Sequence, residues 1–498
     1  PSILRRDIKT SRMVMKVLCL GNNHKHTDEL TTKLGTNHGL ISNLDIIVKD
    51  GFYHTSVLDL TNNEIFELSK QFDHVIVLDQ PVDQWNHPAE FHATQDIAIR
   101  IGNKVSWQNA DAKLQLEYWQ DLVHTNKSFC IFPFIELLTQ NGHTTVCCRS
   151  DKPVQNIDKL ENFATDEKYA KIRTAMLAGE SLHEHCKVCY KLEDKSIISA
   201  RQEETVEWAM RLNLKTVDDL SSITEPVYYE VRPSNTCNLM CRMCVPMFSS
   251  LIEKEQKQLG KIPQEYTEEY SNFDIVKIEH VLKLYVAGGE PTAMPEFYDF
   301  LKKCVRKKYT DFEFIVNTNA MKVSALLLEL GSHFKNLQYI ISIDGYKKHN
   351  DYSRWRSKWD KIIKNAHALQ DNGHKIHFNT VLSLWTVFDY HKLIYFLDSE
   401  FPDCLIHGQY ANQHSPFVFK YSQDQIRNLE SIRTTKIYHN NAMFQSFIDG
   451  TINSAKQSLV NKTAITKFFV YNDELDQARN SRLIDYIPAL EQLRTHGG

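Results

Sequence analysis

The 498-residue sequence has no apolar run of about 18 residues and no secretory hydrophobic core, so hydropathy offers neither a spanning helix nor a signal peptide. Charge of one sign is not in excess: 58 Lys and Arg stand against 62 Asp and Glu, a formal net charge of -4. That balance argues against nucleic acid as a partner. The loop Gly21-Asn22-Asn23-His24, which follows a strand-like run, lacks the G-x-G-x-x-G glycines, so a dinucleotide role has little support there. What the chain does have is cysteine, 11 in all. Paired disulfides would compete with metal ligation, so the thiols read as ligands in a reducing compartment, and a cytoplasmic location without membrane contact is expected.

Three of those thiols lie at C-x3-C-x2-C spacing in Cys237-Asn238-Leu239-Met240-Cys241-Arg242-Met243-Cys244, directly after the apolar run Val227 to Val231. Chance would produce this spacing roughly 0.005 times in such a chain. Three close thiolates can hold three irons of a 4Fe-4S cluster and leave the fourth iron open for chemistry. A zinc knuckle completed by a distant His is the bland alternative. About fifty residues on, the run Val281 to Ala287 ends in Gly288-Gly289-Glu290-Pro291.

Together, and in this order, the two motifs resemble the radical S-adenosylmethionine (SAM) enzymes. The resemblance implies that Cys237, Cys241 and Cys244 bind the cluster and that SAM chelates the open iron. It further implies that an electron from a reductant such as flavodoxin or ferredoxin cleaves SAM to methionine and a 5'-deoxyadenosyl radical. Gly288 and Gly289 would let backbone carbonyls approach the SAM ammonium, Glu290 would add an acceptor, and Pro291 completes the turn. Met243 stands where many members carry an aromatic residue against adenine; it is apolar and adaptable enough to replace one.

Short β-branched or aromatic runs recur at Tyr228 to Val231, Leu284 to Ala287, Phe312 to Val316, Tyr339 to Ile343, Ile376 to Leu382 and Cys404 to Gln409. Amphipathic helical patterns lie between them, as at Phe297 to Lys308 and Trp355 to Gln370. Alternation of this kind predicts a parallel α/β sheet, which the resemblance makes a partial (β/α)6 radical SAM barrel. Function gathers at the carboxyl ends of such strands. By similarity to the family, Asn319, Ser342 and Asn379 are candidates for the SAM ribose and carboxylate, with Arg354 as a carboxylate clamp. The same polar residues would serve equally as helix caps.

A second cysteine set precedes the barrel. Cys130, Gly142 and Cys147 fall in a C-x11-G-x4-C pattern, and Cys186-Lys187-Val188-Cys189 follows. This resembles the SPASM and twitch modules of radical SAM enzymes, here on the amino-terminal side, and implies that Cys130, Cys147, Cys186 and Cys189 ligate a second, auxiliary 4Fe-4S cluster. Ser199-Ala200-Arg201-Gln202 continues that pattern, and Cys148 is left as a spare or substitute ligand. A zinc ribbon also fits two separated cysteine pairs, although C-x16-C lacks a tight knuckle.

The expected organisation is a basic leader or disordered start over 1–13 and an α/β domain over 14–125, with Cys19 buried, for substrate recruitment or dimer contact. An auxiliary-cluster module follows over 126–222, the barrel over 223–420 and a helical cover over 421–498. The best-fitting substrate is a peptide or protein, as in maturation of a ribosomally made precursor by oxidation, crosslinking or epimerisation. Epimerisation needs a hydrogen donor, for which Cys404 and Cys304 are the unassigned barrel thiols; buried structural cysteine is the alternative for both. A small metabolite, sugar or nucleotide is the competing substrate class. A non-enzymatic cluster or zinc scaffold would leave the Gly-Gly-Glu-Pro turn without purpose.

Overall fold

A computed structural model describes residues 110–497 except 141, 151, 195–197, 266–272 and 412, together with six strand segments between 17 and 107. The chain forms two compact units, one from Pro1–Phe132 with Arg173–Ile223 and the other from Pro133–Ile172 with Thr224–Gly498.

In the first unit, strands β1 (Val17–Leu20), β2 (His38–Ile41), β3 (Ile46–Lys49), β4 (Phe52–Thr55), β5 (His74–Val77) and β6 (Val105–Trp107) form one sheet in the order β2-β3-β4-β1-β5-β6. β1 runs parallel to β4 and β5, and β5 to β6. The antiparallel meander β2-β3-β4 is an addition. The leader, the loop 21–24 and the Cys19 side chain lie outside the described residues. Helices Ala110–Thr125 and Ala200–Arg211 pack through the fully buried Trp119 and Trp208. The Trp119 indole N–H donates to the Leu214 carbonyl at 2.7 Å, which satisfies the one polar atom its burial would otherwise strand.

The second unit is built on a nine-stranded sheet in the order β15-β14-β13-β12-β11-β10-β7-β8-β9. Its strands are β7 (Glu136–Gln140), β8 (His143–Thr145), β9 (Pro153–Asn156), β10 (Tyr228–Val231), β11 (Lys283–Val286), β12 (Glu313–Thr318), β13 (Leu337–Ser342), β14 (Lys375–Leu382) and β15 (Ile406–Tyr410). From β10 to β15 each strand pairs in parallel with the next. Helices Pro295–Lys307, Ala325–Gly331, Trp359–Asp371 and Tyr390–Glu400 make the later crossovers. β7 adds a further parallel strand beside β10, and β8 and β9 continue antiparallel.

Period-2 alternation sorts the two faces. In β12, Phe314, Val316 and Thr318 are buried while Glu313, Ile315 and Asn317 are half-exposed. Phe314 packs among the rings of Phe297, Phe312 and Phe334 at centroid distances of 6.3, 5.5 and 5.2 Å. Burial of each such ring contributes about 1.5–3 kcal/mol and fixes which face meets the helices. The opposite face carries Tyr285, Asn317, Ser342, His377 and Asn379. Helix Ala442–Gln457 lies against the edge strand β15, where a Cβ on Gly408 would stand 2.3 Å from the Phe447 ring. Asn441 Nδ2 donates to the Ile406 carbonyl at 3.0 Å beside it, so the edge is covered rather than left as a pairing template. Among the described residues no helix is long and apolar enough to cross a membrane.

Candidate active site

The cysteine loop leaves the carboxyl end of β10, and the Gly-Gly-Glu-Pro turn leaves that of β11, its parallel neighbour, in the register Val231↔Val286. The two segments are sewn together by backbone. Ala287 N–H donates to Val231 O at 3.1 Å, Gly289 N–H to Ser234 O at 2.9 Å and Glu290 N–H to Thr236 O at 2.7 Å. Both glycines are required by this approach. Gly288 has φ +113°, and a Cβ on Gly289 would fall 2.2 Å from Thr236 O. The absent side chains are therefore used against the loop segment leading from β10 into Cys237, one residue beyond Thr236.

Glu290 is fully buried and accepts four hydrogen bonds. They come from Thr292 N at 3.1 Å, Thr292 Oγ1 at 2.6 Å, Thr318 Oγ1 at 2.6 Å and Asn319 N at 2.6 Å. Burial pushes its carboxyl pKa up, against these donors, which pull it down. It joins the turn after β11 to the end of β12 and sets Asn319, whose Nδ2 donates to Asn238 Oδ1 at 2.7 Å inside the cysteine loop. Ser342 donates to Asn317 Oδ1 at 3.1 Å, and Asn317 Nδ2 donates to the Tyr285 hydroxyl at 3.1 Å, a polar chain across three adjacent strands. Asn379 pairs in register with Ser342 on the half-exposed side of β14.

Arg354 meets a carboxylate of this chain. Its Nε lies 2.7 Å from Asp344 Oδ2 and its Nη2 donates to Asp344 Oδ1 at 3.1 Å, with Nη1 4.0 Å from Cys241 Sγ. Asp344 also accepts from Val381 N at 2.9 Å. The guanidinium is thereby held at the cysteine loop, with Asp344 already occupying its fork.

The three thiols are half-buried and feel one another. Burial, then Cys241, pushes Cys237 up to about 12. Burial raises Cys241 while Arg354 opposes it, and burial followed by Cys241 and Cys237 raises Cys244. Thiolates would repel here without a cation, which is the electrostatic need that iron satisfies. Among the described residues no three His, Cys, Asp or Glu side chains are arranged around a single metal ion. A 4Fe-4S cluster asks for something else, since each thiolate holds its own iron, and the loop's donor set fits it. Met243 is half-buried between Arg242 and Cys244.

In the first unit, Cys186 and Cys189 lie one turn apart on helix His183–Glu193. Cys130 feels both: burial pushes its thiol up first, with Cys186 and Cys189 adding to the shift. Burial and Cys189 likewise push Cys186 up to about 11. Arg201 holds this arrangement. It is 2 % exposed, donates to Phe129 O at 2.8 Å and Val123 O at 2.9 Å, and meets both carboxylate oxygens of Glu193 at 2.9 and 2.7 Å. The turn before Cys130 and the helix bearing Cys186 and Cys189 are tied to one guanidinium. Ser199 and Gln202 form a reciprocal capping box at the start of that arginine's helix. Cys147 and Cys148 belong to the second unit.

Cys304 and Cys404 are not brought to the carboxyl ends of the strands. Cys304 sits late in helix Pro295–Lys307, fully buried, and Cys404 is buried just before β15 begins. Sequence reasoning did not single out Tyr285, Asn238 or Asp344. Tyr285 was legible as the half-exposed phase of a buried strand; the other two are recognised only through partners 81 and 10 residues away.

Residues 231–392 match the family model described as the radical SAM superfamily. No curated protein matches the chain. Among solved structures, the chain is similar to Streptococcus suis SuiB bound to precursor peptide SuiA, with 16% identity and a TM-score of 0.31 over 57% of this chain and 62% of that one. It is similar to anSMEcpe with bound AdoMet at 18% identity and a TM-score of 0.31, over 48% and 62%. The methyltransferase TsrM from Kitasatospora setae aligns at 10% identity and a TM-score of 0.28, over 81% and 74%. The chain thus spans less than two thirds of the length of SuiB and anSMEcpe, and likeness at these scores carries no argument about substrate. Residues 231–392 are thus the segment that resembles the radical SAM superfamily.

Proposed function

We propose that the protein reductively cleaves SAM and abstracts hydrogen from a peptide or protein substrate. The carrying observation is the backbone seam between the cysteine loop and the Gly-Gly-Glu-Pro turn, which holds both motifs at the carboxyl ends of adjacent parallel strands. Cys237, Cys241 and Cys244 would hold a 4Fe-4S cluster that, with SAM bound, supplies the reductive cleavage giving a 5'-deoxyadenosyl radical. The chain's own residues then bind and orient. Glu290 locks Asn319 against Asn238, Arg354 and Asp344 stand at Cys241, and Tyr285, Asn317, Ser342 and Asn379 offer hydrogen-bonding groups on the half-exposed face. The covered edge at β15 supports exclusion of water, which a primary-carbon radical requires.

The peptide reading rests on the second cysteine set, with Cys130, Cys147, Cys186 and Cys189 as ligands of an auxiliary cluster in a module like those of peptide-modifying members. After anaerobic reconstitution the protein is expected to form 5'-deoxyadenosine, and alanine at Cys237, Cys241 and Cys244 together to abolish it; cleavage persisting in that variant would sink the reading. The triple variant should retain about four irons per chain; stoichiometric zinc without iron would replace the auxiliary cluster by a zinc ribbon. Deuterium transfer from labelled peptides into 5'-deoxyadenosine tests the substrate class, and transfer only from small metabolites would move it.

A further inference from the structure

Arg242 stands between two of the three thiols, yet its side chain turns away from them into the carboxyl-terminal helices. It is 1 % exposed, and its guanidinium carbon lies 3.6 Å from the centroid of the Tyr352 ring. Nη2 donates to Asp476 Oδ1 at 2.5 Å and Ser481 Oγ at 3.3 Å, Nη1 to Asn472 Oδ1 at 3.3 Å, and Nε to the Tyr352 carbonyl at 3.1 Å. The hydroxyl of Tyr471 donates to the Arg242 carbonyl at 2.5 Å. Tyr471, Asn472 and Asp476 all belong to helix Lys462–Arg479.

Asp476 is itself held, accepting from the Tyr352 hydroxyl at 2.9 Å and from Leu483 N at 2.7 Å. The opposite side of the loop is fixed by backbone, with Met240 N donating to Trp355 O at 2.9 Å and Arg242 N to Ser353 O at 2.7 Å. The same helix closes a second buried contact. Arg479 meets Glu255 through paired bonds of 2.8 and 2.7 Å, and Glu255 lies on helix Ser250–Gln258, which follows the loop.

We propose that helix Lys462–Arg479 is a clamp on the cluster loop, with Arg242 and Asp476 as positioning residues that fix the separation of Cys241 and Cys244. Arg242 is the immediate neighbour of Cys241 and two residues from Cys244, so moving its anchored guanidinium moves both thiols. A cluster site tolerates little such movement, because ligand orientation is set by the shell behind the ligands. The proposal rests on the radical SAM reading and adds that the carboxyl-terminal helices act on the cluster itself, beyond covering the sheet.

The test uses full-length Asp476→Asn, Arg242→Met and the double variant Arg242→Met/Asp476→Leu, with Asp473→Asn as control because its partner Arg494 is exposed on the surface. A buried ion pair replaced on both sides by apolar groups regains stability, whereas one partner removed leaves a stranded charge. The double variant is therefore expected to melt above either single variant, though below wild type because the Tyr352 hydroxyl and Leu483 N lose their acceptor. It should still lose the change in the EPR signal of the reduced cluster on adding SAM, and form 5'-deoxyadenosine at least tenfold more slowly. The single variants should show the same loss and the control none. Wild-type EPR response and cleavage in the double variant would overturn the clamp and leave the pair a matter of folding only. Wild-type protein that takes up no iron and cleaves no SAM would instead defeat the radical SAM reading.

Discussion

In a Gly289→Ala variant the new methyl carbon would stand 2.2 Å from Thr236 O and 2.6 Å from Asn235 C. These are backbone atoms with no rotamer to give way, and the nearer contact is roughly 1 Å inside van der Waals distance. The turn after β11 must move away from the segment entering Cys237, straining or breaking the bonds from Gly289 N to Ser234 O and from Glu290 N to Thr236 O. Overpacking costs about 1–3 kcal/mol and each of the two lost bonds about 0.5–1.5 kcal/mol, so a loss of about 2–6 kcal/mol is expected. A displacement of about 1 Å at a reacting geometry costs on the order of 100-fold in rate. Thermal melting and anaerobic 5'-deoxyadenosine formation measure the two effects. Gly373→Ala is the matched control: it lies at φ +87° with nothing within 4 Å, so it suffers backbone strain alone and should keep wild-type cleavage. Wild-type melting and cleavage in Gly289→Ala would refute the close-approach account.

Glu290→Gln places an amide donor among four donors and should cost about 2–3 kcal/mol in urea unfolding, together with loss of SAM cleavage. Arg201→Met strands Glu193 and three backbone carbonyls; a loss of about 3–5 kcal/mol and of auxiliary iron is expected, and full retention of that iron would separate Arg201 from the thiols. Burial lowers His377 to about 4, with His407 and Lys375 adding, and burial lowers His414 to about 4. Folded pKa values below the unfolded 6.5 mean stability that is complete above pH 6.5 and lost as pH falls toward 4, so melting temperature should drop between pH 6.5 and 4; a flat profile, or no gain in acid stability from His377→Gln with His414→Gln, would refute this. Removal of residues 1–109, a cut chosen to spare helix Ala110–Thr125, should weaken peptide capture while SAM cleavage without substrate survives; equal peptide affinity in both forms would end the recruitment role.

The sequence by itself determined the cysteine and Gly-Gly-Glu-Pro motifs and the alternation that builds the parallel sheet, because both are local signals. Thiol spacing is a property of eight consecutive residues, and the six strands from β10 to β15 each announce themselves through β-branched or aromatic runs between amphipathic helices. The polar residues at the strand ends were also legible as a group. Their individual partners were decided only by tertiary structure: Glu290 is consumed by Thr292, Thr318 and Asn319, and Arg354 by Asp344. The glycine pair shows the same division, since the sequence marks the need for missing side chains and the fold reveals Ser234 and Thr236 as the atoms that need the room. Arg242 lay in plain view inside the motif, but its partner Asp476 is 234 residues away. Hydrogen bonds and buried ion pairs depend on distance in space, and no periodicity along the chain encodes a contact of that separation.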